Sequence, residues 1–116
     1  MVSEGRAKKL SAYVGEADAY DDRPLYQALV EQARIQGCSG ATALRGITGY
    51  GATSREHGKH AMRMSLDLPV VVTVIDDPVK ITALAEVWCT MICDGLVTVE
   101  DVNVLLYRGG ITGGPE

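Results

Sequence analysis

Hydrophobic and polar positions change their period several times along this chain, and each change marks an element. Over Ala7–Gly15, Leu10, Ala12 and Val14 alternate with Lys9, Ser11 and Tyr13, the two-residue period of a strand with one buried face. Residues 16–23 form an acidic loop with Glu16, Asp18, Asp21 and Asp22. Pro24 fits the first turn of a helix, where its missing N–H is not needed, with Asp22 or Arg23 at the cap. Leu25, Leu29 and Ala33 then recur every fourth residue beside Tyr26 and Val30, one apolar stripe that Gly37 ends. A second strand is expected over 41–50 and an exposed polar loop over 52–60. A third strand is expected over 62–76, with Pro69 marking a bulge or an unpaired position. Asp77-Pro78 repeats the cap-then-proline start, and Ile81, Leu84, Trp88, Met91 and Ile92 follow at helical spacing to about Asp94, with Gly95 as the stop. The final β region, Leu96–Tyr107, is expected to break near Glu100-Asp101.

The order is β-α-β-β-α-β. It predicts an α+β, ferredoxin-like fold: a four-stranded antiparallel sheet with two helices on one face. One domain is expected over residues 1–108, followed by a flexible glycine-rich tail over 109–116. Two helices cover one sheet face, yet Val70–Ile75 is apolar on both. The uncovered face, with Val71, Ile75, Leu105 and Tyr13 or their opposites, would be a large exposed patch on a monomer. A homo-oligomer packed through that face is therefore expected.

Composition narrows the function classes. At 116 residues the chain has room for one domain. No apolar run approaches the ~20 residues of a membrane span, and the polar N-terminus precedes no signal-peptide core, so a cytoplasmic location is expected. Three cysteines, Cys38, Cys89 and Cys93, without framework spacing suit a reducing compartment. The net charge of −4 argues against nucleic acid as a partner.

The charge is unevenly placed. Residues 45–63 hold Arg45, Arg55, Lys59 and Arg63 against Glu56, formally +3, while the rest of the chain sums to −7. The same stretch contains Gly46-Ile-Thr-Gly49-Tyr-Gly51. Glycines let backbone N–H groups approach an anion and adopt the positive φ of anion nests, so a small phosphorylated ligand is one reading. A bulged hairpin that needs glycine for its own geometry is the other. The spacing G-x-x-G-x-G is not the dinucleotide fingerprint. His57 and His60 read as exposed loop histidines rather than metal ligands, and Cys89 and Cys93 as small buried hydrophobes on the second helix. A strand neighbour such as Arg45 is one option for pairing Asp67, which the sequence leaves open. No nucleophile motif is present, so neither an enzyme nor a cofactor is expected.

Gly37-Cys-Ser-Gly-Ala-Thr-Ala-Leu-Arg-Gly-Ile-Thr-Gly-Tyr-Gly51 resembles the signature of the PII-like family catalogued as domain of unknown function 190. Ser65–Asp76 and Asp94–Val102 are similar to two further motifs of that family, and with Leu25-Tyr26 the resemblance spans residues 8–108. It implies a ferredoxin-like trimer related to the PII signalling proteins. In those, adenine nucleotides sit in clefts between subunits and a loop between the second and third strands contacts a target. Carried over, it implies ligand contacts from Arg45, Gly46, Gly49, Tyr50, Gly51, Arg55 and Arg108, with residues 52–61 as the target loop. The implied ligand is AMP, ADP, ATP or a cyclic nucleotide. The implied target is a protein, with a membrane channel or transporter as one class. The chain departs from true PII proteins in three ways: its loop carries no tyrosine, Asp94-Gly95-Leu96 replaces the Gly-Lys phosphate loop, and Arg108 stands alone where they have an arginine pair. The competing expectation is a trimeric scaffold resembling the CutA divalent-cation tolerance proteins, with a metal or no ligand and no catalysis. It rests on His57, His60 and the acidic loop.

Overall fold

Alternating valines build the centre of the molecule. A computed structural model describes residues 4–51 and 67–109. Strand β1 (Gly5–Gly15) is followed by a miniature hairpin, β2 (Ala19–Tyr20) and β3 (Arg23–Pro24), then helix α1 (Leu25–Ile35). Strands β4 (Thr42–Arg45) and β5 (Pro69–Asp76), helix α2 (Pro78–Met91) and strand β6 (Leu96–Val104) complete the order. The main sheet runs β4-β5-β1-β6, antiparallel throughout, the ferredoxin-like arrangement read from the sequence. No described helix is long and apolar enough to cross a membrane.

Leu10, Ala12 and Val14 of β1 and Val70, Val72 and Val74 of β5 face the helices and are buried. They pack on Leu25, Leu29 and Ala33 of α1 and on Ile81, Leu84 and Trp88 of α2. The Trp88 indole is fully buried, and its Nε1–H donates to the Leu29 carbonyl at 3.1 Å, which joins the two helices. Asp76, also fully buried, accepts from the backbone N–H groups of Ser39 and Asp77, each at 2.7 Å. That carboxylate ties the loop after α1 to the start of α2.

The opposite sheet face is organised in rows. Leu44, Val71, Tyr13 and Leu96 stand side by side across all four strands. The next row is Thr42, Thr73, Ser11 and Thr98, and beyond it Ile75, Lys9 and Glu100. Leu44 is 66% exposed, Leu96 56% and Tyr13 43%, so no described element covers the apolar row. The expectation of a valine strand that is apolar on both sides is met, with one side left open.

Several boundaries differ from the sequence reading. α1 begins at Leu25 with Pro24 at the cap, because Arg23 and Pro24 pair with Tyr20 and Ala19; neither Asp22 nor Arg23 caps the helix. The Asp18 carbonyl instead accepts from the Leu25 N–H at 2.8 Å, satisfying one helix-end donor through the backbone. Asp77 does cap α2 as expected, accepting from Lys80 N–H. α2 ends at Met91, not near Asp94. Cys89 and Cys93 are therefore exposed rather than buried: Trp88 takes the inward position, and Cys93 lies past the helix. β4 is shorter than 41–50, and Pro69 opens β5 rather than interrupting it. Strand β6 does not break at Glu100-Asp101, because Lys8 and Lys9 lie opposite and pair with them, Lys8 Nζ to Asp101 Oδ1 at 2.6 Å and Lys9 Nζ to Glu100 Oε2 at 3.8 Å. The expected loop over 52–61, with Arg55, His57, Lys59 and His60, together with Arg63, the start of the expected third strand and residues 110–116, lies outside the described residues.

Candidate functional site

The glycines of the 46–51 segment answer first to a proline. After β4 the Gly46 N–H donates to the Pro69 carbonyl at 2.7 Å. A Cβ on Gly46 would sit 2.9 Å from Pro69 Cγ, and one on Gly49 would sit 3.1 Å from the same atom. Gly49 also has φ +145°, the positive region expected of it. The two glycines thus let the chain wrap the Pro69 ring.

The end of β1 completes this base. Glu16 N–H donates to the Leu68 carbonyl at 2.8 Å, and Ala17 N–H to Asp67 Oδ1 at 3.2 Å. The Gly15 N–H donates to Asp18 Oδ2 at 2.9 Å. A Cβ on Gly15 would lie 2.4 Å from Asp67 Oδ1 and 3.2 Å from Asp18 Oδ1, so both carboxylates converge on a position only glycine leaves free. On the other side, the turn at Gly95 runs so close to β1 that a Cβ there would approach the Tyr13 carbonyl oxygen to 2.8 Å.

Between these elements lies a cleft of about 120 Å³. Its walls are mainly apolar, from Tyr13, Val14, Tyr50 and Pro69, and it carries three carboxylates, Asp18, Asp67 and Asp94. Burial raises the Asp18 carboxyl above its ordinary value; the Gly15 N–H pulls it back, and the charges of Asp67 and Asp94 push it further up. A carboxyl raised in the fold binds its proton more tightly folded than unfolded. Its contribution to stability therefore increases as pH falls through the raised value and is unfavourable near neutrality. Asp18→Asn, whose amide oxygen can still accept from Gly15, is expected to raise the Tm at pH 7, with the gain shrinking toward the acid range. A thermal melt series from pH 4 to pH 8 checks this; equal Tm values at pH 7 would contradict it.

Of the residues expected at a ligand site, Tyr50 and Gly51 line this cleft, whereas Gly46 and Gly49 do not line it and pack on Pro69, which does. Arg45 stands beside it, with Nη1 2.7 Å from Glu16 Oε2. Arg108 is not brought to the cleft: it follows β6, whose other end carries Gly95. Arg55 lies outside the described residues. Of the positive charge read from residues 45–63, Arg45 is the described part, and it is met by Glu16. Sequence reasoning did not gather Asp18, Asp67 and Asp94, which are far apart in the chain. The signal available was that each lies within three residues of a glycine or proline at a strand end. Among the described residues no group of three His, Cys, Asp or Glu side chains is placed to hold a metal ion.

The element order and the β4-β5-β1-β6 sheet define a ferredoxin-like α+β protein. The chain belongs to the family DUF190, described as "Uncharacterized ACR, COG1993", which matches residues 7–104. A UPF0166 protein of Aquifex aeolicus is 38% identical over 102 residues, covering 86% of this chain and 94% of that one. The UPF0166 protein MJ1524 of Methanocaldococcus jannaschii is 30% identical over 105 residues, covering 90% and 94%. Among solved structures, the apo form of CPII from Thiomonas intermedia K12, a nitrogen regulatory PII-like protein, superposes with a TM-score of 0.59 at 16% identity, covering 90% of this chain and 97% of that one. CPII bound to ADP, AMP and acetate gives 0.57 at 17% identity, with 89% and 92% covered. At such identities the likeness to CPII is one of fold.

Proposed function

We propose that this protein is a PII-like regulator that binds an adenine nucleotide at the base of the 52–66 segment and signals through that segment to a target protein. The observation that carries the reading is the cleft where residues 46–51, the Asp94-Gly95 turn and the end of β1 meet, in a fold whose solved neighbours include CPII bound to ADP and AMP. The apolar row Leu44, Val71, Tyr13 and Leu96 supports association of identical chains, and a trimer is the form proposed. The site is then shared between copies. Arg108 joins it only from a second copy, because its own chain holds it beyond the far end of β6. Arg45 exchanges Glu16 for a phosphate when ligand binds. The protein is proposed to work without catalysis, without a resident cofactor and in the cytoplasm, with a membrane channel or transporter as the class of target.

A melting screen against AMP, ADP, ATP and cyclic nucleotides tests the reading. At about 100 times the dissociation constant, a ligand specific to the folded state adds about 2.7 kcal/mol of stability. That shift is expected with at least one adenine nucleotide and is expected to shrink in Arg45→Ala. No shift with any nucleotide overturns the proposal.

A further inference from the structure

Two helices over a four-stranded sheet leave the edge strand β6 partly bare, and the groove this creates beside α2 has two chemically different ends. We propose that this groove binds a fatty-acid anion, with the acyl chain on its apolar half and the carboxylate head at Arg6 and Asn103. The site lies outside the cleft described above and rests neither on the nucleotide reading nor on the association of copies.

The groove follows from the packing. α2 lies on β1 and β5, so the helix-side face of β6 extends beyond it. Val99 is opposite Leu10 on that face, yet Leu10 is fully buried and Val99 is 54% exposed. Along this ledge run two hollows of about 540 and 470 Å³ that share Lys8 in their walls. Each falls within the roughly 300–1,000 Å³ of small-molecule sites.

The first hollow is apolar. Ile81, Ala85 and Cys89 recur every fourth residue along α2 and line it together with Val99. Glu86 lines it too, but is exposed and can turn its charge to solvent. From Pro78 to Cys89 the helix rises roughly 16 Å, the length scale of an acyl chain.

The second hollow is polar. In the β1–β6 register Arg6 is opposite Asn103 and Lys8 opposite Asp101, and all four line it. Lys8 Nζ is engaged by Asp101 Oδ1 at 2.6 Å. Arg6 is exposed and has no ion pair among the described residues. Lys8 first, and Arg6 with it, holds the Asp101 carboxyl below its ordinary range, so both cations bear on one spot. Two cations against one carboxylate leave a positive charge for the head of a ligand, and the Asn103 amide offers N–H donors beside it.

Charge complementarity and the change of polarity along the groove select the occupant together. A small inorganic anion would use Arg6 and leave the apolar half open. A neutral hydrocarbon would do the reverse. A carboxylate on an acyl chain satisfies both ends.

Titration calorimetry of the full chain with octanoate, decanoate and dodecanoate, each below its micelle concentration, tests the proposal. A fully buried methylene strengthens binding about fourfold, so dodecanoate is expected to bind at least tenfold more tightly than octanoate. Arg6→Glu, which repels the head, and Cys89→Glu, which sets a charge against the chain, are each expected to weaken dodecanoate binding at least tenfold. Both positions are exposed, and circular dichroism confirms the fold. Alkylation by iodoacetamide, followed by mass spectrometry, locates the ligand. Saturating dodecanoate is expected to slow Cys89 at least fivefold and to leave Cys93, past the end of α2, unchanged. Absence of binding, affinity that ignores chain length, variants that bind like wild type, or equal slowing of both cysteines overturns the proposal. Cys89 protection that grows with chain concentration, without dodecanoate binding, overturns it in favour of a second copy on the groove.

Discussion

Replacing Trp88 with alanine is expected to cost about 3–5 kcal/mol of folding stability, within the range for deleting a buried tryptophan from a core. The indole is fully buried where α1, α2 and the sheet converge, so its removal leaves a cavity that three packed elements cannot close. It also removes the Nε1–H that donates to Leu29, the hydrogen bond that joins the two helices. Trp88→Phe separates these effects: it keeps much of the volume, loses the donor, and is expected to cost about 1–2 kcal/mol. Urea unfolding followed by circular dichroism at one fixed chain concentration measures both, because association makes apparent stability depend on concentration. A small domain holds only about 5–15 kcal/mol in total, so the alanine variant is expected to lie close to the folding threshold. Equal midpoints for wild type and Trp88→Ala would contradict the packing described.

Val71→Asp is expected to leave the fold intact and to weaken association by about a hundredfold or more, since an unpaired charge forced into an interface costs several kcal/mol. Val71 lies on the face away from the helices, between Leu44 and Tyr13 in the apolar row. Its neighbours Val70 and Val72 point the other way and are buried under the helices. The same substitution one residue along, at Val72, is expected instead to prevent folding, because it puts a carboxylate into the core. Sedimentation velocity and circular dichroism on the two variants distinguish an interface face from a core face. A Val71→Asp chain that assembles like wild type would show that the row is not an interface and would remove the basis for a site shared between copies.

Trp88 packs under one face of the sheet and Val71 lies on the other, and that distinction is legible in the sequence. The two-residue period of β1 and the two-sided valines of β5 require a sheet with one face under helices. The periodicity of Leu25, Leu29 and Ala33, and of Ile81, Leu84 and Trp88, supplies those helices. Boundaries were less legible wherever a contact distant in sequence decides them. Helix α1 starts one residue late because a miniature hairpin claims Arg23 and Pro24, with Asp21 and Asp22 both held at positive φ in its turn. Strand β6 runs unbroken through Glu100 and Asp101 because the lysines opposite neutralise them.

The candidate site divides along the same line. Its glycines were visible in the chain, and so was the choice between an anion loop and a structural turn. The structure gives Gly46 and Gly49 a packing role against Pro69, a residue some twenty positions away, and that role stands whether or not an anion binds nearby. Local sequence alone determined the alternation, the helical stripes and the Asp77 cap, since each depends on residues a few positions apart. Only the tertiary structure could decide that Asp18, Asp67 and Asp94 share one cleft while Arg108 lies at the opposite end, because antiparallel strands bring distant residues together and carry the two ends of β6 apart.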